Sequence, residues 1–191
     1  MEDLLRRIEY EADEAAFREF YLAQAPQLLN FAFIYIKSKF IAEEVVNDVF
    51  MNLWRSRQHI HEIANLRVYL YVGVRNGVSS YFSRNKDWQH IDIDTVSDAS
   101  LGFTVDPEQQ LITAELRQRI EGAVAALPPR CRIIFKMIKE DGLKYREVAE
   151  ILNLSVKTIE NQLTIAIRKI SAEIYLNTGD TRKEGHLSDK L

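Results

Sequence analysis

Residues 142–170, GLKYREVAEILNLSVKTIENQLTIAIRKI, repeat apolar side chains at helical spacing and break the repeat once, at Asn153-Leu154-Ser155. The spacing predicts two short helices joined by a tight turn. The first sets Val148, Ala149, Ile151 and Leu152 on one side. Ser155 is placed to cap the second, its hydroxyl accepting from an otherwise unpaired first-turn amide. Thr158 stands where a full capping box carries Glu or Gln, so the reciprocal bond is missing. In the second helix Ile159, Leu163, Ala166, Ile167 and Ile170 form an inward stripe, and Lys157, Glu160, Asn161, Thr164 and Arg168 face solvent.

Two amphipathic helices in isolation make an ordinary hairpin with a wet outer face. Three details favour a helix-turn-helix that contacts DNA. Amides, hydroxyls and cations gather near the start of the second helix, where a recognition helix meets base edges in the major groove. The turn is as short as steep docking of the two helices requires. Residues 128–175 carry nine Lys or Arg against six Asp or Glu, a net of +3, whereas the whole chain is at −3.

The chain has 191 residues, 47% of them apolar, enough for one mid-sized domain or two small ones. Its longest apolar run, residues 28–36, is too short to cross a bilayer. The N-terminus is acidic and amphipathic, unlike a secretory signal, and a cytoplasmic address is expected. The lone Cys131 has no partner for a disulfide or a zinc site and reads as a small core residue. His59, His61, His90 and His186 lack ligand spacing, so no metal is expected. A glycine-rich phosphate loop and a nucleophile beside a base are both missing, which argues against an enzyme.

Charge is segregated along the chain. Residues 1–54 sum to −5, residues 55–86 to +5 with Glu62 the one acid, residues 87–127 to −6, and residues 176–191 balance. Helical periodicity dominates and no stretch alternates as a strand does, so an all-α fold is expected. Helices are predicted over 3–24, 26–37, 42–57, 66–84, 107–126, 129–139, 144–152 and 156–176. Residues 87–106 hold five Asp and no Lys or Arg and read as an acidic linker. The expected organisation is two small helical domains, 1–86 and 107–176, joined by that linker, the second containing the helix-turn-helix, followed by a polar tail over 177–191.

In the first half, Val45, Val46, Val49, Phe50, Leu53 and Trp54 form a broad apolar stripe, with Glu44, Asn47, Asp48, Met51 and Asn52 opposite. Such an exterior is what any surface helix shows; it also offers an acidic, amide-rich face to a basic partner protein. Over residues 66–86, Leu66, Leu70, Val74, Val78 and Phe82 mark a buried stripe, while Arg67, Tyr71, Arg75, Asn76, Arg84 and Lys86 mix cations, an aromatic and an amide. The mixture suits single-stranded DNA, where cations follow phosphates and aromatic rings stack on unpaired bases. It equally fits a solvated basic face with its tyrosines tucked into the core.

Taken together, these segments resemble the sigma-70 family of bacterial RNA polymerase initiation factors, in its two-domain extracytoplasmic-function (ECF) group. AEEVVNDVFMNLW, residues 42–54, is similar to the family's polymerase-binding helix, with Asp48, Phe50 and Trp54 at recurring positions. NLRVYLYVGVRN, residues 65–76, is similar to the helix that opens and reads the minus-ten promoter element. LPPRCRIIFKM, residues 127–137, with the helix-turn-helix after it, is similar to the domain that binds the minus-thirty-five element.

The resemblance implies a sigma factor that binds core RNA polymerase and directs promoter recognition, melting and transcription initiation, without catalysis by this chain and without a cofactor. It implies polymerase binding through Asn47, Asp48, Phe50, Met51, Asn52 and Trp54, and capture of the melted strand by Arg67, Tyr71, Arg75 and Asn76. In the second domain it implies Lys157, Thr158, Glu160, Asn161 and Gln162 in the major groove of duplex promoter DNA, with Arg146 and Arg168 nearer phosphates. Kinship also implies an anti-sigma factor, commonly membrane-anchored. Tyr69 stands where many relatives carry Trp, and Glu160 and Ile165 where relatives often carry Arg or another polar residue. The alternative is a transcriptional regulator of the LuxR type, whose helix-turn-helix is nearly the same; residues 1–86 show neither the strands nor the phospho-acceptor pattern of its usual sensor.

Overall fold

The computed structural model describes residues 1–84 and 114–178. Among them the chain is all-α, as expected: α1 (Glu2–Glu11), α2 (Glu14–Tyr35), α3 (Lys39–Arg55), a 3₁₀ turn (Arg57–Glu62), α4 (Leu66–Arg84), α5 (Ala114–Ala125), α6 (Pro129–Lys139), α7 (Tyr145–Leu152) and α8 (Val156–Thr178). The predicted linker, 87–106, lies outside the described residues, as do Lys86, His90, residues 107–113 and the tail from 179 onward.

Helix starts follow local chemistry. The Asp13 carboxylate accepts from the backbone N–H groups of Ala15 (2.8 Å) and Ala16 (3.1 Å) and pairs with the Arg7 guanidinium at 2.6 Å. Both contacts hold that carboxyl below the usual carboxylate range, the Ala16 amide contributing most. This cap ends α1 at a left-handed Ala12, φ 51°, and starts α2, so the single helix predicted over 3–24 is two. Conversely, Pro26 does not start a helix but sits inside α2. The lost backbone bond and ring crowding cost about 3 kcal/mol. Burial of Phe20, Ala25, Leu28, Phe31 and Ala32 along α2 offsets it. Ser38 caps α3 through Ile41 N–H, Asn65 caps α4 through Val68 N–H, and Pro129 opens α6 where its missing N–H costs nothing.

The first four helices and the 3₁₀ turn pack as one unit. The buried Glu9 carboxylate on α1 meets the His61 ring on the 3₁₀ turn, tying the N-terminus down. Helices α3 and α4 approach closely because α4 carries Gly73 and Gly77 on its contact face. A Cβ at Gly77 stands 2.7 Å from a Val45 methyl, and one at Gly73 stands 3.0 Å from a Val49 methyl. In the second unit Val124, Leu127, Cys131, Ala166 and Ile170 form a small core between α5, α6 and α8. Cys131 is buried, as predicted.

The larger core does not stop at the first unit. It runs from Ile8, Phe31, Phe50 and Val74 through Met137, Leu143, Val148, Ile151 and Ile159, and the seam between the units is α4 against α7. Among the described residues no helix is long and apolar enough to cross a membrane.

Candidate nucleic-acid interface

The helix-turn-helix is built as its residues suggest. Asn153 adopts the left-handed region, φ 53°, ending α7, and Leu154 N–H returns to Ala149 C=O at 2.9 Å. Ser155 Oγ accepts from Thr158 N–H at 3.0 Å, and the two hydroxyls share a 2.8 Å bond in place of the missing carboxylate of a capping box. Glu147 supplies the reciprocal kind of cap one helix earlier, accepting from Lys144 N–H at 2.7 Å.

On α8, Ile159, Leu163, Ala166 and Ile170 are buried, whereas Ile167, predicted in the stripe, is 44% exposed. Its place is taken by Ile165, which packs on the small core; a long helix drifts by one position as it passes from α7 to α5 and α6. Lys157, Asn161 and Arg168 are exposed, with Arg146 on α7, while Thr158, Glu160 and Gln162 are half-buried. Lys157 pairs with Glu160 at 3.5 Å. Gln162 is partly turned inward, its carbonyl accepting from Cys131 Sγ at 3.0 Å, so α8 presents a face mixing one ion pair with free amide and guanidinium groups.

On α4 the arrangement differs from a simple exposed basic face. Asn76 is exposed, but Tyr71 is 1% exposed, its ring edge-on to Phe31 at 5.2 Å. Composition left Tyr71 open between surface and core; in this arrangement it is core. Its hydroxyl donates to Asp141 Oδ2 at 2.7 Å. Arg67 donates to Gln27 Oε1 at 3.0 Å and to the Asp141 carbonyl. Arg75 donates to the Ile151 carbonyl at 2.7 Å and to Asn76 Oδ1 at 3.1 Å. Asn65, at the head of α4, donates to Glu147 at 2.7 Å. Burial pushes the Asp141 carboxyl up to about 6, helped by neighbouring Glu140 and opposed by the Tyr71 bond, Arg67 and Lys136. Glu140 is raised by burial as well, against the pull of Lys136 at 3.4 Å. The sequence carries no signal for Asp141 and Ile151 as partners of α4, because the pairings span seventy residues or more.

On α3, Asn47, Asp48, Met51 and Asn52 share an exposed face, Asn47 accepting from Tyr21 OH at 2.8 Å. Phe50 is not on that face: it is 2% exposed among Phe17, Phe20 and Tyr21. Trp54 is half-buried, against Phe17 on one side and the Arg57 guanidinium at 4.8 Å on the other. The two aromatics thus lie in the apolar stripe that the spacing predicts and anchor the helix from behind. An open groove of about 480 Å³ runs between α3 and α4, bordered by Asp48, Asn52, Tyr69, Asn76 and Arg84.

Two family models match this chain: sigma-70 region 2 over residues 20–88, from within α2 through α4, and sigma-70 region 4 over residues 117–170, from within α5 to within α8. The chain is 22% identical over 178 residues to the ECF RNA polymerase sigma-E factor of Escherichia coli K12, covering 90% of this chain and 92% of that protein. It is 24% identical over 156 residues to the ECF RNA polymerase sigma factor SigM of Bacillus subtilis 168, covering 81% and 92%. Among solved structures, the fold is similar to that found in the complex of the sigma factor RpoE with the anti-sigma factor NepR from Bartonella quintana, with a TM-score of 0.52 and 21% identity over 83% of this chain and 96% of that one.

Proposed function

The chain belongs to the sigma-70 family, in the ECF group of RNA polymerase sigma factors, and from that premise we propose how its residues divide the work of initiation. Its function is promoter-specific initiation of transcription, and the LuxR-type alternative is not favoured. The observation that carries the residue-level reading is the helix-turn-helix whose α8 offers Lys157, Asn161 and Arg168 to solvent over a buried stripe.

Asn47, Asp48, Met51 and Asn52 dock core polymerase, with Phe50 and Trp54 holding α3 straight behind them. Asn76 reads one unpaired base of the melted strand, and Arg67, Tyr71 and Arg75 hold that strand once the second unit is lifted from α4. Extruding a base costs a few kcal/mol, and base–aromatic stacking returns about 1–3 kcal/mol per base. Lys157, Thr158, Glu160, Asn161 and Gln162 enter the major groove, where Glu160 accepts from a cytosine amino group and Asn161 pairs with adenine. Arg146 and Arg168 lie nearer phosphates. The domains run over 1–86 and 107–176, joined by an acidic linker and trailed by a polar tail. The chain performs no catalysis itself, needs no cofactor, works in the cytoplasm and is held in check by an anti-sigma factor, as the Bartonella relative is paired with one.

The test is pull-down of core polymerase by the full chain, followed by in vitro transcription from promoters selected out of a randomised library. Start sites that depend on this chain are expected. Duplex binding without initiation by core enzyme would return the LuxR-type reading.

A further inference from the structure

The face of α4 assigned above to the melted strand is already occupied. Every hydrogen bond that Arg67, Tyr71 and Arg75 make across the seam ends on an oxygen of the second unit: the Asp141 carboxylate, the Asp141 carbonyl and the Ile151 carbonyl. These acceptors present what phosphates and base edges present, oxygen lone pairs aimed at guanidinium and phenol donors. We propose that the α6–α7 turn and the end of α7 plug the basic face of α4, so that the chain's own second unit and a single DNA strand compete for Arg67, Tyr71 and Arg75. The proposal rests on the strand-holding reading of those three residues.

The plug is built rather than incidental. Gly142, at φ +67°, turns the chain where a side chain would be strained. The N–H groups of Glu140 and Asp141 both return to Lys136 C=O (2.8 and 3.0 Å), and Leu143 N–H returns to Met137 C=O at 2.9 Å. The turn is thereby fixed with Asp141 facing α4. Ile151 lies in the last turn of α7, where carbonyls lack helical partners and the helix dipole is negative, so the Arg75 guanidinium satisfies an orphan acceptor. Leu143, Val148 and Ile151 bury their side chains in the shared core beneath these bonds, and Asn65–Glu147 closes the rim.

The closure is one-sided. Lys157, Asn161 and Arg168 on α8 and Arg146 on α7 are exposed in the same arrangement. A closed chain therefore keeps its duplex-reading face and loses its strand-holding face, which separates plugging from general inactivation.

The test uses the full chain with Asn65→Cys and Glu147→Cys joined by a short bis-maleimide, in a background where the buried native Cys131 is replaced by Ala. Fluorescence anisotropy reads binding to a random-sequence single-stranded oligonucleotide pool and to the same pool as duplex. Apparent affinity scales with the open fraction, so the cross-link is expected to weaken single-strand binding about tenfold or more against the uncross-linked variant, with duplex binding unchanged. Asp141→Arg, which sets a cation against Arg67, is expected to strengthen single-strand binding about tenfold at unchanged helical content. Equal single-strand affinity with and without the cross-link overturns the plug. Arg75→Ala in the Asp141→Arg background separates the two failures. If it weakens single-strand binding while the cross-link does nothing, the plug alone is wrong. If it changes nothing, the strand-holding reading falls and the plug with it.

Discussion

Asp141 is a carboxylate that its surroundings hold at some expense, and replacing it with Asn should stabilise the protein in a pH-dependent way. In the folded chain its carboxyl titrates at about 6, against 3.8 for the free group. The folded state therefore binds more protons than the unfolded one between those values, and the stability carried by this group is full below about pH 4 and falls as pH rises through 6. A shift of that size corresponds to about 3 kcal/mol as an upper bound. Asp141 is only half-buried and shares its site with Arg67, Lys136 and Glu140, so roughly 1–2 kcal/mol is the realistic share. Asn keeps an oxygen for the Tyr71 hydroxyl and leaves the backbone carbonyl to Arg67, so Asp141→Asn removes the burdened charge and little else. Urea denaturation of wild type and variant from pH 4.5 to 7.5 measures the difference. The variant is expected to lead by about 1–2 kcal/mol at pH 7.5, and the lead to shrink to about a third of that at pH 4.5. A pH-independent difference, or a variant less stable at pH 7.5, refutes the reasoning. Asp13, Glu62 and Glu147, all held below their ordinary values, lose their contribution on acidification, so the pair difference rather than the wild-type curve isolates Asp141.

Tyr71→Phe keeps the ring contact with Phe31 and deletes the bond to Asp141; a loss of about 1–2 kcal/mol is expected by urea denaturation at pH 7, with the Asp141 carboxyl moving further up by NMR titration. Gly77→Ala drives a methyl to 2.7 Å from Val45, and overpacking of about 1–3 kcal/mol outweighs the gain in helix propensity of about 1 kcal/mol, so a lower thermal midpoint is expected. Asp48→Arg, on the exposed face of α3, should weaken core polymerase binding by surface plasmon resonance and leave duplex affinity intact; unchanged polymerase affinity removes the docking assignment.

What could be read before the structure follows from the range of the interactions involved. Helices α4 and α6 have the bounds that their apolar spacing predicts, because the signals that set them lie within one or two turns. The break at Ala12 leaves no mark in the sequence because Asp13 is one acid among several, and only its bonds to Ala15, Ala16 and Arg7 mark it as a cap. Pro26 is the opposite case, a local breaking signal overridden by burial on α2. Tyr71 was undecidable for a different reason: whether an aromatic on a basic helix is wet or dry depends on what covers it, and here Phe31 and Asp141 do, from two distant parts of the chain. The exposure of the polar residues on α8 and α3 was legible, since those positions lie opposite a stripe. Phe50 was legible in the same way, since its place in the apolar stripe puts it in the core.

The glycines that let α3 and α4 nearly touch also set a length scale. With Gly73 and Gly77 against Val49 and Val45, the helix carrying Asp48 and the helix carrying Asn76 are locked side by side with almost no slack. Under the roles proposed for Asp48 and Asn76, the distance from the polymerase contact to the base-reading amide across the groove is thereby specified to within a side-chain contact. On that reading the pair is a ruler between polymerase and melted strand, and its graduation is the missing Cβ.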